Sequence, residues 1–191
     1  MKFLHAFGIM LALCLLTTSN AEASKIGELA QEIKDLNWED GRLRIEGQAW
    51  AGTRSGRRAR SDDVAVAVII EKEFAVGTKL AVGVRAIPLF YYDEHRTDEE
   101  IWGAGGGVSI RYYTCESQDG WFIEYSESLI AHSDKFRGNS GSLNFMSEVG
   151  VGYEFDNNWH IAAKWRHLSN AGIADKNSGI NGVGIGIGFS F

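Results

Sequence analysis

The chain has 191 residues, a formal net charge of −6 and two cysteines. A mildly acidic balance gives no support for nucleic-acid binding, and the length suits one domain. Beyond its first residues, no apolar run approaches the roughly 20 residues that a spanning helix needs.

Lys2 precedes an apolar run from Ile9 to Leu16, followed by Thr17, Thr18, Ser19 and Asn20. Ala21-Glu22-Ala23 has the small-x-small form of a cleavage site, so residues 1–23 read as a secretory signal peptide. Leu13 is too bulky to precede a lipidated cysteine, so Cys14 reads as an ordinary signal residue. Lys2 and Glu22 cancel, and the mature chain keeps the charge of −6. Cys115 is then alone and has no partner for an internal disulfide. Nothing near it in sequence would activate its thiol, so it reads as packing. Residues 24–41 follow, with Ile26, Leu29, Ala30, Ile33 and Leu36 at helical spacing. They predict a short amphipathic helix or a loosely ordered segment, either capping a barrel or resting at a membrane surface.

From Arg42 the period changes to two. Leu43, Ile45, Ala49 and Ala51 alternate with Arg44, Glu46, Gln48 and Trp50. Further strands are predicted over 63–74, 79–92, 101–114, 121–132, 142–155, 158–169 and 180–191. Each is near or above the roughly 9 to 11 residues of a tilted membrane strand. Tight connections at 75–77, 116–120 and 156–157 alternate with longer polar ones at 53–62, 93–100, 133–141 and 170–179. This rhythm and an even strand count predict an all-β fold over 42–191, an eight-stranded antiparallel transmembrane β-barrel. Apolar rows would face lipid, while Arg44, Glu46, Arg111, Glu148, Glu154, Lys164 and Arg166 would face a polar interior. The terminal Phe191 resembles the closing signature of bacterial outer-membrane barrels. Trp50, Tyr91, Tyr92, Trp102, Trp121, Phe155, Trp159, Trp165 and Phe189 are candidates for interfacial girdles. The competing architecture is a soluble barrel that turns its apolar rows inward around a lipid.

The last hairpin carries the chemistry. Trp159, Ile161, Ala163 and Trp165 form an odd-numbered apolar row that runs into His167 and Ser169. Residues two apart on a strand share a face. Histidine is the usual base near neutral pH, and serine is a nucleophile once a base takes its proton. Pairing the hairpin with its ends level places Asn181 opposite Ser169 and Val183 opposite His167. Amides in the stretch Asn170 to Gly172 are candidate donors to an oxyanion. A histidine and a serine two apart are by themselves a generic pattern.

The run His167-Leu168-Ser169-Asn170-Ala171-Gly172-Ile173, with Asn177, Gly179-Ile180 and the closing strand, resembles the PagL-type lipid A 3-O-deacylase family. The specific likeness spans Trp165 to Phe191, and the leader, strand count and loop rhythm agree over the rest. The resemblance implies an outer-membrane barrel and a serine esterase that releases the 3-O-acyl chain of lipid A. It implies His167 as base, Ser169 as nucleophile, Asn170 and the Gly172 amide as oxyanion donors, and Asn177 in support. It implies no cofactor and no metal. The best-known members carry a glutamate where this chain has Asn181. Either Asn181 orients the base more weakly, or Asp175 substitutes, or activity is low.

The partner implied is lipopolysaccharide in the outer leaflet, and a homodimer is left open. Arg54, Arg57, Arg58 and Arg60 on an external loop are candidates for lipid A phosphates, or form a solvated loop. Asp93, Glu94, His95, Asp98, Glu99 and Glu100 lack the spacing of a defined cation site. The alternative functions are a non-catalytic structural or adhesive barrel and a soluble lipid-binding barrel.

Overall fold

The computed structural model describes residue 27 and residues 31–54 and 60–191. The expected leader, the front of the N-terminal segment, and Arg57 and Arg58 lie outside the described residues. Eight strands follow one another: β1 (Arg42–Gly52), β2 (Val64–Val76), β3 (Leu80–Glu94), β4 (Glu99–Tyr113), β5 (Gly120–His132), β6 (Leu143–Glu154), β7 (Trp159–Ser169) and β8 (Ile180–Ser190). Each pairs antiparallel with its neighbour, and β1 against β8 closes the barrel. Closure leaves no strand edge, as a sheet in lipid requires.

The alternation sorts the side chains as predicted. Ile45, Val66, Val149, Trp165 and Val183 point outward and are exposed, whereas Arg44, Glu46, Glu71, Arg111, Glu148 and Arg166 are buried inside. This polarity is the inverse of a soluble lipid-binding barrel. The interior charges pair with one another: Arg44 with Glu154 at 2.7 Å, Arg85 with Glu71 at 2.6 Å, Arg166 with Glu148 at 2.6 Å and Lys164 with Glu46 at 2.6 Å. Glycines in β8 make room for them. A methyl group on Gly186 would lie 2.7 Å from the Glu46 carboxyl carbon, and one on Gly188 would lie 2.4 Å from His160.

Toward the loop end, the interior becomes apolar, with Trp50, Phe90, Tyr92, Phe136, Met146 and Leu168 in one cluster. Two of the expected girdle aromatics therefore lie inside. Trp50 is 3% exposed and Tyr92 is fully buried. They occupy inward positions of their strands, and a guanidinium, that of Arg166, lies 4.8 Å from the centroid of the Trp50 ring.

Two connections differ from expectation. The ladder of β3 and β4 continues past a bulge to Glu94 and Glu99, so the connection expected over 93–100 narrows to a turn over 95–98. Its acidic residues are divided between faces: Glu94 turns inward to Arg137 at 3.1 Å while Asp98 to Glu100 stay exposed. The described part of the N-terminal segment, 31–41, meets the outer wall rather than the barrel mouth. Ile33 and Leu36 pack on Phe74, Val76, Val82 and Ile110. Phe74 and Ile110 flank Val82 in the ladder on the outward row, so the segment lies against the outer wall at the short-turn end.

Candidate active site

The site forms where β7 ends, β8 begins and the loop 170–179 joins them. His167 and Ser169 are both half-buried on the outward row, above Trp165. The register differs from the level-ended hairpin. His167 stands opposite Asn181, and Leu168 opposite Ile180. A slip of two residues keeps every side chain on its face, so alternation alone could not choose. Closure chooses: β8 must also meet β1 with Trp50 against Gly184. A methyl group on Gly184 would lie 2.3 Å from the Ala49 carbonyl oxygen, so β1 has to approach β8 at a bare position.

The observed register joins the candidate base, His167, to Asn181. His167 Nδ1 lies 2.6 Å from Asn181 Oδ1. An amide oxygen only accepts, so Nδ1 carries the proton and donates, and Nε2 keeps its lone pair. The Trp165 ring runs nearly parallel to the imidazole, at 16° with centroids 6.3 Å apart. Asp175 lies exposed in the loop, and the partner of His167 is Asn181. Ser169 Oγ makes no hydrogen bond among the described residues; such contacts commonly tighten only with substrate in place.

A methyl group on Gly179 would stand 2.5 Å from His167 Cε1. Gly179→Ala is therefore expected to displace the imidazole and lower turnover by about 10²-fold, the cost of roughly 1 Å of misplacement. The barrel should still fold. Comparing turnover with the unheated gel mobility of the variant checks this.

The two expected oxyanion donors are engaged elsewhere. The Asn170 amide N–H donates to Asn177 Oδ1 at 3.0 Å. Asn170 Nδ2 donates to Asn139 Oδ1 at 2.8 Å and to the Lys176 carbonyl at 2.9 Å. The Gly172 N–H donates to Asn170 Oδ1 at 2.9 Å. These residues build the loop rather than face Ser169, because the Asn170 side chain points inward and is fully buried. Residues 170–173 form a tight turn closed by Ile173 N–H on the Asn170 carbonyl at 3.0 Å. Its central residues are left-handed, Ala171 at φ 52° and Gly172 at φ 78°. That conformation is strained for alanine, and strain of this kind gathers at functional sites. The Ala171 N–H has no acceptor among the described residues.

Arg60 is not on the surface. It is 1% exposed, and its guanidinium donates to Asp63 at 3.2 Å, Tyr92 at 3.1 Å and the Arg137 carbonyl at 2.5 Å. Asp63 and Glu94 turn inward at the barrel mouth and hold this cation, so Arg60, expected to meet lipid A phosphates, is instead committed to the interior. Arg54 is exposed.

One residue near the site was not anticipated. Glu127 lies on the outward row of β5, across Ser147 from His167. Its Oε2 accepts from Ser147 Oγ at 2.6 Å and Tyr125 OH at 2.9 Å. A carboxylate on a lipid-facing row is costly and marks function. Its odd number between Tyr125 and Leu129 was the available signal.

The sequence profile of the family described as lipid A 3-O-deacylase (PagL) matches residues 71–190. Among solved structures, the outer membrane enzyme PagL matches at 19% identity with a TM-score of 0.58, over 76% of this chain and 98% of that one. Neisserial surface protein A matches at 15% identity with a TM-score of 0.51, over 78% of this chain and 97% of that one. At these identities the two structures show the fold alone. No curated protein matches.

Proposed function

The chain belongs to the lipid A 3-O-deacylase (PagL) family, and from that membership we propose that it is an outer-membrane serine esterase hydrolysing the 3-O-linked acyl chain of lipid A. One observation carries the assignment: the His167–Asn181 pair, beside Ser169, on the wall that faces lipid. A nucleophile placed there meets a membrane ester laterally, without a pore.

His167 Nε2 takes the Ser169 Oγ proton as Oγ attacks the ester carbonyl carbon. The carbonyl oxygen becomes an oxyanion, for which the Ala171 N–H is the donor left unbonded. Collapse breaks the bond to the sugar oxygen, which leaves with the proton from Nε2. Water, deprotonated by the same nitrogen, then releases the fatty acid and restores Ser169. Asn181 fixes the tautomer throughout but brings no charge to the imidazolium.

Mass spectrometry of lipid A from cells with and without the protein tests the proposal. Loss of one ester-linked acyl chain is expected, and an unchanged profile would count against it. The neutral Asn181 also favours a second reading, a barrel that keeps the motif without turnover. Asn181→Glu separates the two. A weakened enzyme should gain at least about tenfold in rate from a charged partner, whereas a scaffold should remain inactive in both forms.

A further inference from the structure

The loop after Ser169 is held by a run of buried amides that passes through Asn139 of the neighbouring loop, 133–142, to Asn144 at the start of β6 and His132 at the end of β5. Asn144 and Asn170 are fully buried and Asn139 is 4% exposed. The hydrogen bonds all run in one direction. Gly172 N–H donates to Asn170 Oδ1 at 2.9 Å, and Asn170 Nδ2 to Asn139 Oδ1 at 2.8 Å. Asn139 Nδ2 donates to Asn144 Oδ1 at 2.7 Å, and Asn144 Nδ2 to His132 Nε2 at 2.5 Å. His132 Nδ1 then donates to the Asp134 carbonyl at 2.5 Å. The backbones are joined too, by a bridge between Asn139 and Asn177 and by Ser178 N–H on the Gly138 carbonyl at 2.9 Å.

This run borders the apolar cluster that contains Phe136 and Met146. Cohesion between the two loops would need only more apolar side chains there. Burying amides costs free energy unless each is satisfied, and a satisfied network fixes direction and distance as packing does not. What it fixes is the turn two residues beyond the nucleophile.

We propose that Asn139 is a positioning residue for the hydrolysis: through Asn170 it holds the strained turn that presents the Ala171 amide to the oxyanion. The inference rests on the esterase reading. Asn139 touches no reacting atom, and its distance in sequence from Ser169 hides its role.

The test uses the full-length mature protein in detergent, with lipid A as substrate and a fluorophosphonate as a label for Ser169. Asn139→Ala is expected to lower kcat by about 10- to 100-fold, with KM within about twofold and folded gel mobility retained. Labelling of Ser169 should slow in parallel, because phosphonylation builds the same oxyanion. Asn139→Asp keeps the acceptor for Asn170 Nδ2; Asn144 then turns its amide to donate to the new carboxylate and to accept from a doubly protonated His132, so kcat should recover to within about threefold of wild type. Undiminished kcat in Asn139→Ala, or an equal loss in Asn139→Asp, overturns the proposal. If Asn139→Ala does not fold, Asn139→Ser is the variant, and a wild-type kcat in it overturns the proposal equally. A wild type that leaves lipid A intact overturns the esterase reading with it, so the two failures are distinct.

Discussion

Ser169→Ala and His167→Ala are each expected to lower lipid A deacylation by on the order of 10⁴-fold or more, while the barrel folds normally. The size follows from roles that act as a unit. Without the hydroxyl there is no acyl-enzyme, and without Nε2 the hydroxyl keeps its proton. Both side chains lie half-buried on the outer wall, outside the interior ion-pair lattice. Neither substitution opens a cavity in the core or leaves a buried charge alone, so stability should change by less than about 0.5 kcal/mol. Lipid A profiles paired with heat-modifiable gel mobility check both halves of the expectation. Substantial activity in Ser169→Ala would remove serine chemistry from consideration. A barrel that no longer folds in His167→Ala would make the His167–Asn181 contact structural.

The largest stability effect is expected inside. Glu71 accepts from Arg85 Nη2 at 2.6 Å and Nε at 2.8 Å, from Ser109 Oγ at 2.7 Å and from Arg111 Nη2 at 3.2 Å. Glu71→Ala leaves two guanidiniums in a closed interior with less countercharge, and removing one partner of a buried pair costs about 3–5 kcal/mol. Urea unfolding of the protein refolded into lipid vesicles measures it. Arg85→Leu added to Glu71→Leu should return part of the loss, because the pair together costs desolvation that apolar side chains avoid. A loss below about 1 kcal/mol in Glu71→Ala would mean that water solvates the interior charges freely.

The strand faces were legible because alternation is local. Leu43 and Ile45 outward with Arg44 and Glu46 inward needs only a pleat. The same rule placed His167 and Ser169 together on the lipid-facing wall. It also held the information that Glu127 faces outward and that Trp50 faces inward, whereas Tyr92 faces inward because a bulge between Ile87 and Phe90 inverts the alternation of β3. For Glu127 and Trp50 chemical type points the opposite way from position number, since a carboxylate suits a polar interior and an indole an interface. Arg60 shows the other limit. Its neighbours in sequence gave it the look of a surface basic run, whereas Asp63, Tyr92 and Arg137, from three separate segments, draw it into the barrel mouth.

By itself the sequence determined how many strands there are, which side of the wall most strand residues take, and that His167 and Ser169, the pair proposed for the chemistry, share the outer face. Tertiary structure alone decided the register that sets Asn181 against His167, and the link from Asn139 to the turn after Ser169. The physical reason is that a period of two is unchanged by a slip of two residues. Barrel closure and the contact between distant loops are metric constraints, and they allow one alignment.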